Sequence, residues 1–133
     1  GAGIGQMAFN YDGSIYTCDE GRMAARMGID HFKLGDVQDS RFEDLIDHEV
    51  TKTMCLASCL DNHAGCVDCA YKPFCGICPL LHYVEYGTIF PKIQATDYCK
   101  VKMAMFDYLF LKLRSPKYQK VFENWFTQAV SSP

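Results

Sequence analysis

The sequence predicts a small α+β domain in which an N-terminal β-hairpin is followed by cysteine-rich loops and several helices around metal clusters. Three observations predict this class. A tight-turn signal separates two β-prone segments, glycine and proline punctuate a dense group of cysteines, and apolar residues recur at helical spacing in the C-terminal third. The length of 133 residues suits one domain. We expect 1–100 to form its cluster-binding part and 101–133 a helical extension packed on that part.

The first predicted element is a β-hairpin that ends at Cys18. Its two segments, 6–9 and 14–18, are rich in apolar and β-prone residues. Between them lies Asp12-Gly13, a dipeptide that tight hairpin turns favour because both residues tolerate unusual backbone angles. The hairpin therefore places Cys18 directly after its second strand.

A short helix and an extended segment follow the hairpin. The composition of 21–27 favours a helix that Gly28 ends. The next segment, 31–37, is predicted to be extended, with a break at Gly35. Ser40 is then expected to cap a helix over 41–47 in a capping box with Glu43.

A further helix is predicted over about 48–60, and it carries Cys55 and Cys59. Four residues of separation would put both thiols on one helix face, where both could reach a single metal site. The alternative is that they are small core residues beside Met54 and Leu56.

Three helices are predicted after the cysteine run, each with a recognisable start or stop signal. They are 79–86, which Gly87 ends, about 97–114, which Thr96 or Asp97 caps, and 116–130, which Ser115 caps ahead of Pro116. Cys99 falls in the first turn of the second of these helices. The positive end of the helix dipole favours a thiolate there.

The eight cysteines are the strongest chemical signal in the chain, and six of them lie within the 24 residues from Cys55 to Cys78. Disulfides have no positive support, because gaps of two residues suit chelation better than the stapling of distant segments. Zinc knuckles and iron–sulfur clusters both remain open. The five-residue gap between the pairs is short for two zinc knuckles, and a proline after the last cysteine of a run also occurs in two-cluster ferredoxins. The spacing therefore favours iron–sulfur modestly.

Composition and charge exclude several other classes. Hydrophobic residues make up 49% and charged residues 22%, a balance typical of a globular domain and not of a disordered chain. The net charge of −3 offers no basic field for nucleic acid or an anionic membrane. No apolar run is long enough to span a membrane, and no secretory signal is recognisable at the start. We therefore expect a cytoplasmic protein with neither a nucleic-acid nor a membrane partner.

The order of the cysteines and two neighbouring segments resemble a known family. The segments are GSIYTCD at 13–19 and LGDV at 34–37, and the cysteines follow as Cys66-x2-Cys69-x5-Cys75, then Cys78 and Cys99. Over about residues 6–100 this pattern resembles the SPASM domain, the C-terminal auxiliary-cluster domain of many radical SAM peptide-modifying enzymes. The segments GQMAFNYDG, CDEGRMAARMG and CVDCAYKPFCGICP are most similar to the His-Xaa-Ser system radical SAM maturase, which works with a paired radical SAM enzyme.

The resemblance implies two [4Fe–4S] clusters. By position, the outer cluster would be held by Cys66, Cys69, Cys75 and Cys99, and the inner one by Cys18, Cys78 and two cysteines upstream of the hairpin. The stretch before the hairpin has no cysteine, and the gap from Cys75 to Cys78 is two residues where three is usual. Our hypothesis is that Cys55 and Cys59 supply the two missing inner ligands. Protein isolated in air could carry zinc in place of iron, since thiolates accept both metals.

The resemblance also implies that the chain is the accessory part of an enzyme. The Cys-x3-Cys-x2-Cys motif of the catalytic radical SAM cluster is absent, because the gap after Cys55-x3-Cys59 is six residues. S-adenosylmethionine would bind only in the radical SAM barrel of the same full-length protein. The other expected partners are a ribosomally made peptide substrate and a paired radical SAM protein. In this setting the accessory clusters would transfer electrons and help to position the peptide.

Two further residues have alternative interpretations. Asp19 follows Cys18, and in sulfatase-maturating relatives a carboxylate at this position takes a proton from the substrate. Its alternative role, which we favour, is to cap the following helix together with Glu20. His63 lies between Cys59 and Cys66, where it is either a metal ligand or, more commonly for such a residue, a solvent-facing loop residue.

Overall fold

The computed structural model describes Ala2 and residues 5–131, and it confirms the α+β class. The chain divides into two compact units, Gly1–Ile93 and Gln94–Pro133. The first unit contains the sheet and seven of the eight cysteines, whereas Cys99 lies in the second unit. The unit boundary thus precedes the helix that carries Cys99.

A three-stranded antiparallel sheet opens the fold. Its strands are β1 (Ala8–Phe9), β2 (Ser14–Tyr16) and β3 (Lys33–Asp36), in the order β1-β2-β3. The predicted hairpin is confirmed, with β1 and β2 joined by a turn in which Gly13 has a φ of 93°. The Asp12 carboxylate accepts the Ser14 backbone N–H at 2.9 Å, and this bond lowers the pKa of Asp12. The turn is therefore fixed by local hydrogen bonds.

Gly35 lies inside β3, so the predicted break there is wrong. Its backbone pairs with Ile15, and a Cβ at this position would lie 2.1 Å from the Ser40 hydroxyl oxygen. Ser40 Oγ accepts the Asp36 N–H at 3.0 Å, so it does not cap a helix as the capping box predicted. The residue at the N-cap of the next helix is Arg41, which has no side-chain capping bond. Glycine is needed here because Ser40 approaches the strand so closely.

Three helices surround the sheet in the first half of the chain. They are α1 (Asp19–Arg26), α2 (Phe42–Asp47) and α3 (Glu49–Ser58). Gly28 ends α1 as predicted, with a φ of 86° and with the Gly28 and Ile29 N–H groups donating to Ala25 and Ala24. Helix α3 ends at Ser58, one residue before Cys59.

The cysteine-rich stretch after α3 is mostly turns, as the glycines and prolines predicted. It includes two short 3₁₀ turns, Leu60–Asn62 and Lys72–Phe74. Helix α4 (Pro79–Tyr86) follows, and Gly87 ends it with a left-handed φ of 71°. Both predicted bounds of α4 are confirmed.

The second unit is helical. After a short turn at Ile93–Ala95, α5 (Asp97–Leu113) begins at the N-cap Thr96, whose hydroxyl accepts the Cys99 N–H at 3.2 Å. Helix α6 (Pro116–Ser131) starts at the proline that the sequence predicted. Among the described residues, none of the helices has the length and apolar character that crossing a membrane requires.

The core of the first unit consists of two packed groups. The first, which we call the thiol cluster, consists of Ala2, Cys18, Ala24, Phe32, Met54 and Leu80. The second consists of Ile15, Leu34 and Leu45, beneath the sheet. Val50 on α3 packs against both groups. The sheet and the helices therefore share a continuous apolar interior.

The contact between Gly35 and Ser40 gives a stability test. We expect Gly35→Ala to lower the free energy of unfolding by about 1–3 kcal/mol, because the added methyl group overlaps the Ser40 hydroxyl. The matched control is Gly76→Ala, where a Cβ has no neighbour within 4 Å, and it should change stability by less than about 0.5 kcal/mol. Urea unfolding followed by circular dichroism measures both. Equal stability of the two variants would contradict the assigned close approach.

Candidate metal centre

The thiol of Cys18 is buried at the start of α1. Cys18 is 1% exposed, and its sulfur occupies the N-cap position, where it accepts the Gly21 backbone N–H at 3.4 Å. The Thr17 hydroxyl donates to the same sulfur at 3.8 Å. Burial raises the pKa of the Cys18 thiol, and the Gly21 N–H partly opposes that rise. The sulfur therefore lies in an apolar site that still offers hydrogen-bond donors.

Cys78 has the same role at the start of α4. Its sulfur caps the helix by accepting the Leu81 N–H at 3.5 Å. The side chain is half-buried and packs against the thiol cluster that contains Cys18. Cys18 therefore lies within the thiol cluster and Cys78 packs against it, and each sulfur stands at the N-terminal end of a helix, where backbone N–H groups are available. Sequence reasoning missed this shared capping role, although the proline after Cys78 was a signal for it.

A series of three-residue turns sets the spacing within the cysteine run. The N–H of Cys66 donates to the carbonyl of His63 at 3.0 Å, and that of Cys69 donates to Cys66 at 3.1 Å. The same pattern continues from Lys72 to Cys69 at 3.0 Å and from Cys75 to Lys72 at 3.3 Å. Each such turn brings residues three apart within about 7 Å at their Cα atoms. The turns therefore keep Cys66 and Cys69 close together in the backbone.

Cys59 lies beside an ion pair at the edge of this run. Lys72 pairs with the carboxylate of Asp61, and the Cys59 thiol donates to the other oxygen of that carboxylate at 3.7 Å. The ammonium of Lys72 lowers the pKa of Asp61, and the carboxylate raises the pKa of Lys72. An exposed pair of this kind adds little stability, but it joins the run to the segment after α3.

His63 is buried, so the solvent-facing alternative is wrong. It is 4% exposed, its Nε2–H donates to the Ala57 carbonyl at 2.8 Å, and its ring lies 5.3 Å from that of Phe90. A carbonyl can only accept, so Nε2 is the nitrogen that carries a proton in this bond. His82 on α4 is also buried, and desolvation together with the nearby His63 lowers its pKa. His82 is therefore a packing residue of α4.

Cys55 and Cys59 do not share a helix face, because α3 ends at Ser58 and Cys59 has extended backbone angles. Cys55 lines an apolar groove of about 850 Å³ together with Phe42 and Lys52. Its neighbour Met54 is the α3 residue that enters the thiol cluster with Cys18. Neither Cys55 nor Cys59 is among the described residues that pack there.

Asp19 is the first residue of α1 and accepts two bonds from Arg22, at 2.9 Å from Nε and 2.6 Å from Nη2. Its side chain is 61% exposed. The cap itself is the sulfur of Cys18, so Asp19 and Glu20 act as acidic residues of the first turn that complement the helix dipole. This arrangement agrees more closely with a role in the helix start than with proton transfer.

The donor chemistry fits a thiolate-bound metal. All eight cysteines lie outside disulfides, and each was predicted as a ligand: Cys18, Cys55, Cys59, Cys66, Cys69, Cys75, Cys78 and Cys99. Cys99 lies in the first turn of α5, where its thiol contacts the sulfur of Met103 at 3.8 Å. Within Ala2 and residues 5–131, no three histidine, cysteine or acidic side chains are arranged closely enough to hold a metal ion.

Comparison of the chain with protein-family models, with curated proteins and with solved structures finds no match. The functional assignment therefore depends on the thiols, their surroundings and the sequence pattern.

The surroundings of Cys18 give a reactivity test. In reduced protein treated with a chelator at pH 8, we expect iodoacetamide to alkylate Cys18 at least about tenfold more slowly than Cys59, because burial raises the Cys18 pKa whereas Cys59 is exposed. Mass spectrometry of peptides from timed samples measures both rates. In 8 M urea, the control, the two rates should converge. Equal rates in the folded protein would contradict the assigned burial.

Proposed function

We propose that this chain is the C-terminal auxiliary [4Fe–4S] cluster domain of a radical SAM peptide maturase, where it serves electron transfer and positions the peptide substrate. The observation that carries the proposal is the shared position of Cys18 and Cys78. Each thiol caps a helix and accepts a backbone N–H, and the half-buried Cys78 packs against the cluster that contains the buried Cys18. The resemblance to the SPASM domain assigns these same two cysteines to one cluster.

The environment of these thiols supports such a role. Hydrogen bonds to ligand sulfurs and burial in an apolar site are the means by which proteins tune the potential of iron–sulfur clusters. When bound, the clusters would supply one-electron chemistry. The protein contributes the donors around Cys18, namely the Gly21 amide and the Thr17 hydroxyl, and the apolar side chains that exclude water.

The proposal divides the eight thiols into two sets. Cys66, Cys69, Cys75 and Cys99 would hold the outer cluster, and the series of three-residue turns supports the first three of them. Cys18 and Cys78 would join the inner cluster, with Cys55 and Cys59 as its hypothetical remaining ligands. Asp19 stays a candidate acid–base residue of the full enzyme only.

The same proposal defines the partners and the compartment. The catalytic chemistry, including the binding of S-adenosylmethionine, would belong to a radical SAM barrel of the full-length protein, and the substrate would be a ribosomally made peptide. A paired radical SAM protein is the further expected partner. Eight cysteines outside disulfides support a cytoplasmic location, because reducing conditions keep cysteines available for metal.

A zinc-binding structural domain is the second candidate. The observation in its favour is that Cys66–Cys69 and Cys75–Cys78 are both separated by two residues, as in zinc knuckles, and lie in a stretch of tight turns. Such a domain would have no redox role. Metal analysis separates the two candidates directly.

We expect anaerobically prepared protein to contain about eight irons and about eight sulfides per chain, as two cubane clusters require. Iron, sulfide and zinc analysis measures this, and the reduced sample should give a cluster signal in electron paramagnetic resonance. Cys18→Ser and Cys78→Ser should each remove about half of the iron. Ala24→Ser, which adds a hydroxyl to the thiol cluster but keeps every cysteine, should retain it. One or two zincs without iron would replace this proposal with the zinc-binding domain.

The hypothesis for Cys55 and Cys59 has its own test. If both complete the inner cluster, the double variant Cys55→Ala, Cys59→Ala should lose about as much iron as Cys18→Ser. Iron content at the wild-type value would exclude them as ligands while leaving the assignment of Cys18 and Cys78 intact. The same analysis of Cys59→Ala alone separates its contribution from that of Cys55.

A further inference from the structure

A second site lies on the first unit, away from the cysteine run. It is an open cavity of about 400 Å³ between the first turns of α3, the end of α4 and the residues before β3. This volume is within the range of small-ligand pockets. We call it the aromatic pocket, and its lining includes His31, Phe32, Tyr83, Glu49 and Thr53.

Three rings form one side of the aromatic pocket. Tyr83 contacts Phe32 with ring centroids 5.4 Å apart and His31 at 5.7 Å, and both contacts are edge-on. Phe32 is 4% exposed and belongs to the thiol cluster, so the other residues of that cluster hold its ring in place. The rings therefore form a fixed aromatic wall, which suits a flat or cationic group.

The charge of the aromatic pocket is negative. Glu49 is the only acidic residue in its lining, and it takes part in none of the ion pairs of the described chain. The end of α4 meets the pocket through Tyr83 and Gly87, and its last turn carries no basic residue to neutralise the carbonyls there. The Glu49 carboxylate and the carbonyl groups at the end of α4 thus both make the electrostatic potential in the aromatic pocket more negative.

The start of α3 also borders the aromatic pocket. The Val50 backbone N–H in its first turn donates to Nδ1 of the N-cap residue His48 at 3.2 Å. Glu49 lies in the first turn of α3 and lines the aromatic pocket with its carboxylate. A cation is therefore the complementary charge for the aromatic pocket.

We infer that the aromatic pocket binds an arginine side chain of a peptide. A guanidinium group has a flat face that stacks on aromatic rings and an edge of N–H donors for a carboxylate, and it loses its water more readily than an ammonium group. The apolar stem of the side chain would lie against Val50 and Ile89, which line the same cavity. This inference involves no metal, so it holds or fails independently of the cluster assignment.

The test uses ¹⁵N-labelled protein titrated with N-acetyl-arginine amide at pH 8, above the ordinary range of histidine titration. We expect amide shifts confined to 31–32, 49–54 and 83–89. N-acetyl-citrulline amide, which has the same shape without the charge, should bind at least about fivefold more weakly. Equal binding of citrulline, tighter binding of N-acetyl-glutamate amide, or arginine-induced shifts elsewhere would overturn the inference.

Single-residue variants test whether Glu49 supplies the negative charge of the aromatic pocket. Glu49→Gln should weaken arginine binding about fivefold, whereas Glu85→Gln, an exposed glutamate on α4 outside the lining, should leave it unchanged. Equal binding by both variants would contradict the role of Glu49. Tyr83→Leu, which keeps an apolar side chain but removes the ring, should also weaken binding. Wild-type binding by that variant would remove the aromatic part of the inference.

Discussion

The burial of the Cys18 sulfur is the constraint on which the first unit depends. This atom is a weak hydrogen-bond acceptor and lies in a site that water does not reach. The Gly21 amide supplies one donor, which it can do because Cys18 stands at the N-cap of α1. Gly21 in turn lies close to Phe32, where a Cβ would be 3.3 Å from that side chain. The position of one sulfur thus fixes how α1 meets the segment before β3.

The same constraint extends to α3 and α4. Met54 and Leu80 close the thiol cluster from these helices, and Cys78 packs against it at the start of α4. A larger or more polar side chain at Cys18 would have to displace these residues or lose its donors, and both cost stability in a close-packed interior. The side chain at position 18 is therefore restricted by its hydrogen bonds as well as by its size.

Much of the fold could be predicted from local sequence signals. The Asp12-Gly13 turn, the Gly28 and Gly87 helix ends and the Thr96 cap each depend on residues within a few positions. The break predicted at Gly35 and the cap predicted at Ser40 are wrong, because these two residues form a contact between β3 and the loop that follows it. The cysteines were recognised as candidate ligands by spacing. Spacing could not show that α3 ends before Cys59, or that Cys18 and Cys78 share one buried region.

Val50 packs against both core groups, and this affects how cooperatively the first unit unfolds. This side chain packs against both core groups and also lines the aromatic pocket. The group beneath the sheet cannot loosen without exposing part of the thiol cluster, so the two groups share the cost of any local opening. Unfolding of the first unit is then a single event, with no stage in which the sheet is lost and the helices remain. A ligand in the aromatic pocket would slow the unfolding of the first unit by restraining the Val50 side chain.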